Sequence, residues 1–292
     1  MNVSETTTAK LDITSVILST IGFGFILYGF SNAGNKGWDS SVVTISLLIG
    51  VVFTILFCMR QIKSKEPLLN LSVFKNKVFT LTSLINVLVT MVMYADMILL
   101  PIYSQNGRGF TAFEAGLLLL PGAVVNALLS PVTGKLYDRF GAKPLFIIGL
   151  LFVIPSMWAV TDLTSSTSFT YLMIRTIILR MGLSFITMPL NTAGLNALPR
   201  HLGIHGSAVN NTIRQISGAI GTAVVITVYT AQATSHAASM THETPQQVAS
   251  LSSVLGSNDA YSFITLLAVC ALLLTFFMPK KKAIKTETAI AK

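Results

Sequence analysis

The chain has 292 residues, of which 52% are hydrophobic and 11% charged, with a net charge of +9 and a mean hydropathy of +0.70. A soluble domain of this length carries about twice that charge, so the composition excludes an ordinary water-soluble enzyme or binding module and points to a membrane protein. The basic balance alone would suit nucleic acid, but no basic stripe interleaved with exposed aromatics occurs, and that partner class is set aside.

A spanning helix needs about 20 mainly apolar residues. Eight segments qualify: 13–31, 41–59, 79–104, 112–133, 143–160, 168–192, 207–230 and 261–278. The expected fold is all-α, a polytopic membrane protein with about eight transmembrane helices. The polar opening MNVSETTTAKLD precedes an apolar run too long for a signal-peptide core and has no small-residue cleavage site after it, so the first segment is expected to stay in the mature chain. Cys58 and Cys270 lie inside apolar runs without zinc-type spacing and read as buried thiols; no metal or cofactor is expected.

The connectors set orientation, because short cytoplasmic loops collect Lys and Arg. Of the 20 Lys and Arg, Lys36 and Arg108 fall on one side, Arg175 and Arg180 fall inside the sixth segment, and all the others lie on the opposite side. This predicts a multi-pass protein of the cell membrane with both termini in the cytoplasm. Between the first two segments, GNKGWDS is a short outer turn with Trp38 at the interface. Residues 60–77 read equally well as an amphipathic segment on the inner surface or as a basic linker. The Ser-, Thr-, Ala- and Gln-rich stretch 231–260 reads as a long, mobile outer connector.

Short loops make the fourth, fifth and sixth segments antiparallel neighbours. Prolines 101, 121, 131, 155 and 189 recur inside or at the ends of these segments, as spanning helices tolerate where neighbours satisfy the freed carbonyls. In the seventh segment, Ser217, Gly218, Gly221 and Thr222 give small-xxx-small spacings for close packing. Asn211, Arg214 and Gln215 mark its inner end. No Ser/His, HExxH or paired-aspartate arrangement occurs within the segments, and His201, His205, His236 and His242 fall in expected connectors, so an enzyme is not supported.

The sixth segment carries the costliest residues. An arginine near the centre of a spanning helix costs about 2.5 to 3.5 kcal/mol on insertion scales, and this segment holds Arg175 and Arg180. At about 100° per residue, Thr176, Arg180, Ser184, Thr187 and Asn191 share one narrow face, which either lines a cavity or packs on another polar helix. Asp96, in the third segment, is the acidic residue deepest in any apolar run. Counting about 1.5 Å per residue from the outer ends puts Asp96 and Arg175 at similar depths near 10 Å, with Arg180 about a turn and a half deeper. Asp96 is therefore the candidate partner of Arg175, acting either in proton coupling or cation binding or as a static ion pair. Asn126, with Ser130 and Thr133, forms a further candidate cavity face; Tyr103 and Met93 are candidates for an adaptable apolar lining or for core.

Two stretches carry a family resemblance. The inner loop 134–143, GKLYDRFGAK, resembles the loop motif of the major facilitator superfamily: Gly134, Leu136, Asp138, Arg139, Gly141 and Lys143 match, whereas Tyr137 and Ala142 depart from it. Its glycines read as permitting tight turns, and Asp138 as capping the next helix or pairing across an interface that breaks on a change of state. The run MPLNTAGLNALPRHLGIHGSAVNNTIRQISGAIGTAVV, which contains Asn191, Asn196, His205, Asn211, Arg214 and Gln215, is similar to the corresponding stretch of the fourteen-helix drug/proton antiporters of that superfamily, the EmrB/QacA type; so is the stretch around Glu114-Ala115-Gly116-Leu117 and Leu120-Pro121-Gly122. The resemblance implies two extra helices with a linker in 1–77, the C-terminal six-helix half in 78–279 and a basic cytoplasmic tail in 280–292. It implies proton-coupled efflux of hydrophobic, often cationic, small molecules, with an N-terminal half or second chain as partner; a non-transporting remnant or regulatory subunit is the alternative. In such a half, inverted three-helix repeats place their first members, here the third and sixth segments, beside the substrate path.

Overall fold

In the computed structural model, residues 12–64, 67–240 and 243–279 are described. Residues 1–11, 65–66, 241–242, which include His242, and the basic tail 280–292 lie outside them. Eight α-helices follow one another: α1 Ile13–Lys36, α2 Ser41–Lys63, α3 Lys77–Ile102, α4 Ala112–Phe140, α5 Ala142–Trp158, α6 Phe169–Asn196, α7 Gly203–Ser239 and α8 Pro245–Phe276. Short helical turns occupy Leu71–Lys75, Tyr103–Gly107 and Arg200–Leu202. Seven of the helices are long and apolar enough to cross a membrane; α5, at 17 residues, is apolar but shorter. Ile45, Leu48, Val52 and Ile55 of α2 are exposed, as a lipid-facing surface requires. The chain is an all-α, multi-pass membrane protein.

Arg60, Lys77, Arg139 and Lys143 gather at one end of the bundle, called here the basic end. There Asp12 caps α1 through Ser15 N at 3.3 Å and pairs with Arg60 Nη2 at 2.8 Å, closing the α1–α2 hairpin. The hydrogen bond from Arg60, then that from Ser15, holds the Asp12 carboxyl well below the usual carboxylate range. At the far end Trp38 Nε1 donates to Thr227 Oγ1 at 2.8 Å, which docks the hairpin on α7.

The six remaining helices form two triplets, α3–α5 and α6–α8, that exchange partners. Helix α6 lies between α4 and α5, and α3 packs against both α7 and α8, which also pack on each other. Each first helix is thus held by the second and third helices of the other triplet. Helices α4 and α5, expected as packed neighbours, barely touch, because α6 separates them. One apolar core runs through the interior, with Val92, Leu99, Leu150, Val153, Leu183, Ile186, Ile264 and Ala268 among its members.

Other expectations change as well. The stretch 231–260 is no long loop: α7 continues to Ser239 and α8 begins at Pro245 behind a Thr244–Gln247 capping box. Small residues let this polar hairpin pack; a Cβ on Gly256 would lie 2.9 Å from Ala233 N and Tyr229 O. The loop 134–143 is also mostly helical. Gly134 sits inside α4 against Met188, and only Gly141, at φ +80°, makes the turn. Helix α5 starts behind Gly141, which has no side chain with which to cap it. Finally, Cys58 and Cys270 are half-buried rather than buried, and His205 and His236 belong to α7.

The α5–α6 crossing depends on two facing glycines. A Cβ on either Gly149 or Gly182 would lie 2.6 Å from the other's carbonyl oxygen. Gly182→Ala is expected to cost about 1 to 3 kcal/mol by forcing the helices apart, and Gly182→Leu to abolish accumulation of the folded chain. Gly116→Ala, at a glycine with open space around its Cβ position, is the neutral comparison; thermal unfolding in detergent reads all three.

Candidate functional site

The intramembrane polar residues separate into a closed cluster and an open cavity. The cluster sits where α3, α5, α6 and α8 meet. Asp96 and Arg175 are both buried and joined by a hydrogen-bonded ion pair between Asp96 Oδ1 and Arg175 Nη1. The rest of the guanidinium is also engaged: Nε donates to Ser156 O at 3.0 Å, Nη2 faces Met157 Sδ at 3.0 Å, and the group lies 5.2 Å over the Tyr261 ring. Ser156 Oγ returns a hydrogen bond to Arg175 O at 3.0 Å, and Tyr261 OH donates to Asp96 Oδ1 at 3.4 Å. Asp96 Oδ2 is buried without a hydrogen-bond partner among the described residues. Tyr103 is equally buried beyond Asp96 on the same side of the bundle and donates to Thr164 O at 2.7 Å.

The cavity, of about 200 Å³, lies among α3, α4, α6 and α7. Its wall comprises Asn86, Val89, Thr90 and Met93 of α3, Asn126 of α4, Arg180, Leu183, Thr187 and Asn191 of α6, and Arg214 of α7. Asn126 Nδ2 donates to Arg180 O at 3.2 Å, tying α4 to α6. The absence of a side chain at Gly122 lets Arg180 lie across α4; a Cβ there would stand 2.8 Å from Arg180 Cγ. The expected stripe of α6 therefore divides. Arg180, Thr187 and Asn191 face the cavity, whereas Thr176 and Ser184 are buried in helix contacts. Ser184 Oγ has no hydrogen-bond partner among the described residues.

Asn86 and Thr90 went unnoticed in the sequence. They precede Met93 at four- and three-residue steps, and that spacing, which puts all three on one face of α3, was the available signal. Asn86 is only 6% exposed and accepts a hydrogen bond from Thr90 at 3.2 Å.

A larger cleft, of about 700 Å³, opens at the basic end beside Tyr137, Phe140, Ile147 and Met278. It is mostly apolar, and its polar groups are already engaged: Lys143 Nζ donates to Phe276 O at 2.7 Å and Met278 O at 2.9 Å, capping α8, and Asn196 Nδ2 donates to Tyr137 OH at 3.4 Å. Arg139 lies 5.2 Å over Phe140. His205 Nδ1 lies 3.1 Å from Leu68 O and 3.4 Å from Asn70 N, fixing the linker to α7. Asn211 and Gln215 are exposed near Arg214. The family-type residues of the basic end thus join helix ends, and of that group only Arg214 and Asn191 reach the smaller cavity.

The closed cluster yields a stability prediction. Removing one member of a buried ion pair leaves the other uncompensated, so Asp96→Ala is expected to destabilise the chain by about 3 to 5 kcal/mol. Asp96→Leu combined with Arg175→Met is expected to recover most of that loss. Thermal unfolding of the single and double variants in one detergent provides the comparison.

A family model described as the Major Facilitator Superfamily matches residues 13–222. The chain is 41% identical to the lincomycin resistance protein LmrB of Bacillus subtilis, over 96% of its own length and 59% of the relative's. It is 39% identical to the uncharacterized MFS-type transporter YhcA of the same organism, covering 95% and 59%. With the multidrug export protein EmrB of Escherichia coli the identity is 25%, over 82% and 47%. The chain spans about three-fifths of the length of the first two relatives. With a matching model across most of its helices and an all-α, multi-pass architecture, the chain belongs to the major facilitator superfamily.

Proposed function

We propose that this chain is the C-terminal eight-helix portion of a fourteen-helix drug/proton antiporter of the EmrB/QacA type, exporting hydrophobic small molecules across the cytoplasmic membrane as protons enter. The observation that carries the reading is the polar cavity built by α3 and α6, the first helices of the two triplets, together with α4 and α7. Alternating access requires such a wall on one half, facing a second half that rocks against it. The share of the LmrB and YhcA relatives covered, 59%, is close to eight helices in fourteen, and LmrB is named for lincomycin resistance. In this reading residues 1–77 supply the extra helices and linker, 78–279 the transport half, and 280–292 a cytoplasmic tail. The basic end, rich in Lys and Arg, faces the cytoplasm.

The two polar sites take different roles. Arg180, Asn126, Thr187 and Asn191 contact the transported molecule. Asp96, whose second oxygen lacks a partner, is the proton-binding candidate, held in place by Arg175. A lone half has no opposing wall, so transport needs the preceding helices or a second chain.

Lincomycin accumulation in cells tests this. Co-expression of the chain with a preceding six-helix half is expected to lower accumulation several-fold, the chain alone to leave it unchanged, and Arg180→Gln to abolish the effect while the protein still reaches the membrane. Undiminished efflux by Arg180→Gln would count against the cavity. Asp96→Asn is expected to keep drug binding and lose proton-driven export; normal proton-coupled export by a folded variant would remove Asp96 from the coupling step.

A further inference from the structure

The cavity among α3, α4, α6 and α7 has positive groups in its wall and no negative one. Two of its ten lining residues, Arg180 and Arg214, carry guanidinium groups, and none is acidic. A guanidinium has five N–H donors and no acceptor. Among the described residues Arg180 Nε is buried without a partner, and so is Asn86 Nδ2, on a side chain that is 6% exposed. The Asn86 carbonyl accepts from the Thr90 hydroxyl, and Asn126 donates an amide hydrogen to Arg180 O. What these atoms lack in common is an oxygen acceptor, and the paired positive charges favour one that is negative.

The contrast with Arg175 makes the point sharper. There the guanidinium finds a carboxylate, a carbonyl and a sulfur within the bundle. Arg180, five residues on, receives none of these from the described residues, although the same helix carries both. A cavity of about 200 Å³ holds several water volumes of about 30 Å³ each, enough for a carboxylate and the group bearing it.

We infer that this cavity is a carboxylate-binding site, in which Arg180 and Arg214 engage the anionic oxygens and Asn86 donates a further hydrogen bond. The carboxylate has two possible sources: the transported molecule, or an acidic side chain of the polypeptide that faces this wall in the assembled transporter. Either source places an anion where a site for cationic drugs would require the opposite charge. The inference deepens the efflux reading and rests on it for its role in transport, but binding itself needs no transport.

The test uses the purified 292-residue chain in nanodiscs at fixed ionic strength, with benzoate, benzamide and benzylamine as probes of one shape and three polarities. Benzoate is expected to bind at least tenfold more tightly than benzamide, with benzylamine weakest. Arg180→Gln is expected to remove that preference while leaving helicity and monodispersity unchanged, and Arg180→Lys to retain part of it. Equal binding of benzoate and benzamide, tighter binding of benzylamine, absence of benzoate binding, or an unaltered preference in Arg180→Gln overturns the inference. In the assembled transporter, competition between benzoate and drug export assigns the carboxylate to the cargo. Benzoate binding by the chain alone, lost on assembly, assigns it to the facing polypeptide. Anion binding without any drug export would sink the efflux proposal and leave the site standing; export without anion preference would do the reverse.

Discussion

A charge within hydrocarbon has no water to turn to, so it must find its partners in the protein. The Asp96–Arg175 pair satisfies that requirement with groups from four helices: the carboxylate from α3, the guanidinium from α6, a carbonyl and a thioether from α5, and a phenol from α8. No subset of those helices completes the set. The pair therefore fixes both the rotation and the depth of α3 and α6 relative to each other, and those two helices are the ones that present their other faces to the cavity.

The same physics explains why Arg180 is different. Its backbone carbonyl is tied to Asn126 and its stem lies over Gly122, so the side chain is positioned, yet its Nε has no acceptor. A bundle with a well-satisfied arginine one and a half turns away shows no general shortage of acceptors at that depth. Asn86 Nδ2 and Arg180 Nε, two of the buried donors without a partner among the described residues, belong to the wall where four helices leave space, and a binding surface is recognised by groups held in place without being paired.

Much of this was legible in the chain itself. Apolar length gave the helices, the distribution of Lys and Arg gave their alternation, and counting residues from the helix ends brought Asp96 level with Arg175. The failures have physical reasons. Hydropathy measures the cost of leaving water and carries no information about helices that pack through small residues, so the α7–α8 hairpin, with Gly256 against Ala233 and Tyr229 OH against Ser253 Oγ at 2.9 Å, read as a loop. Loop length suggested that α4 and α5 pack together, but a short loop constrains only one pair of ends, and α6 enters between the helices. The stripe on α6 was correct as a face; which of its members meet space and which meet backbone is decided by α3 and α4, whose registers no single segment reveals.

The exchange of partners between the triplets bears on the order in which the chain is made. Synthesis delivers α3, α4 and α5 before α6, α7 and α8. The Asp96 carboxylate is translated 79 residues ahead of the guanidinium that pairs with it and 165 ahead of the Tyr261 hydroxyl. Over that interval α3 has neither of its flanking helices, and α4 and α5 have no α6 to hold them together. The first triplet is incomplete until the second arrives, and Asp96 gains its full set of partners only when α8 is in place.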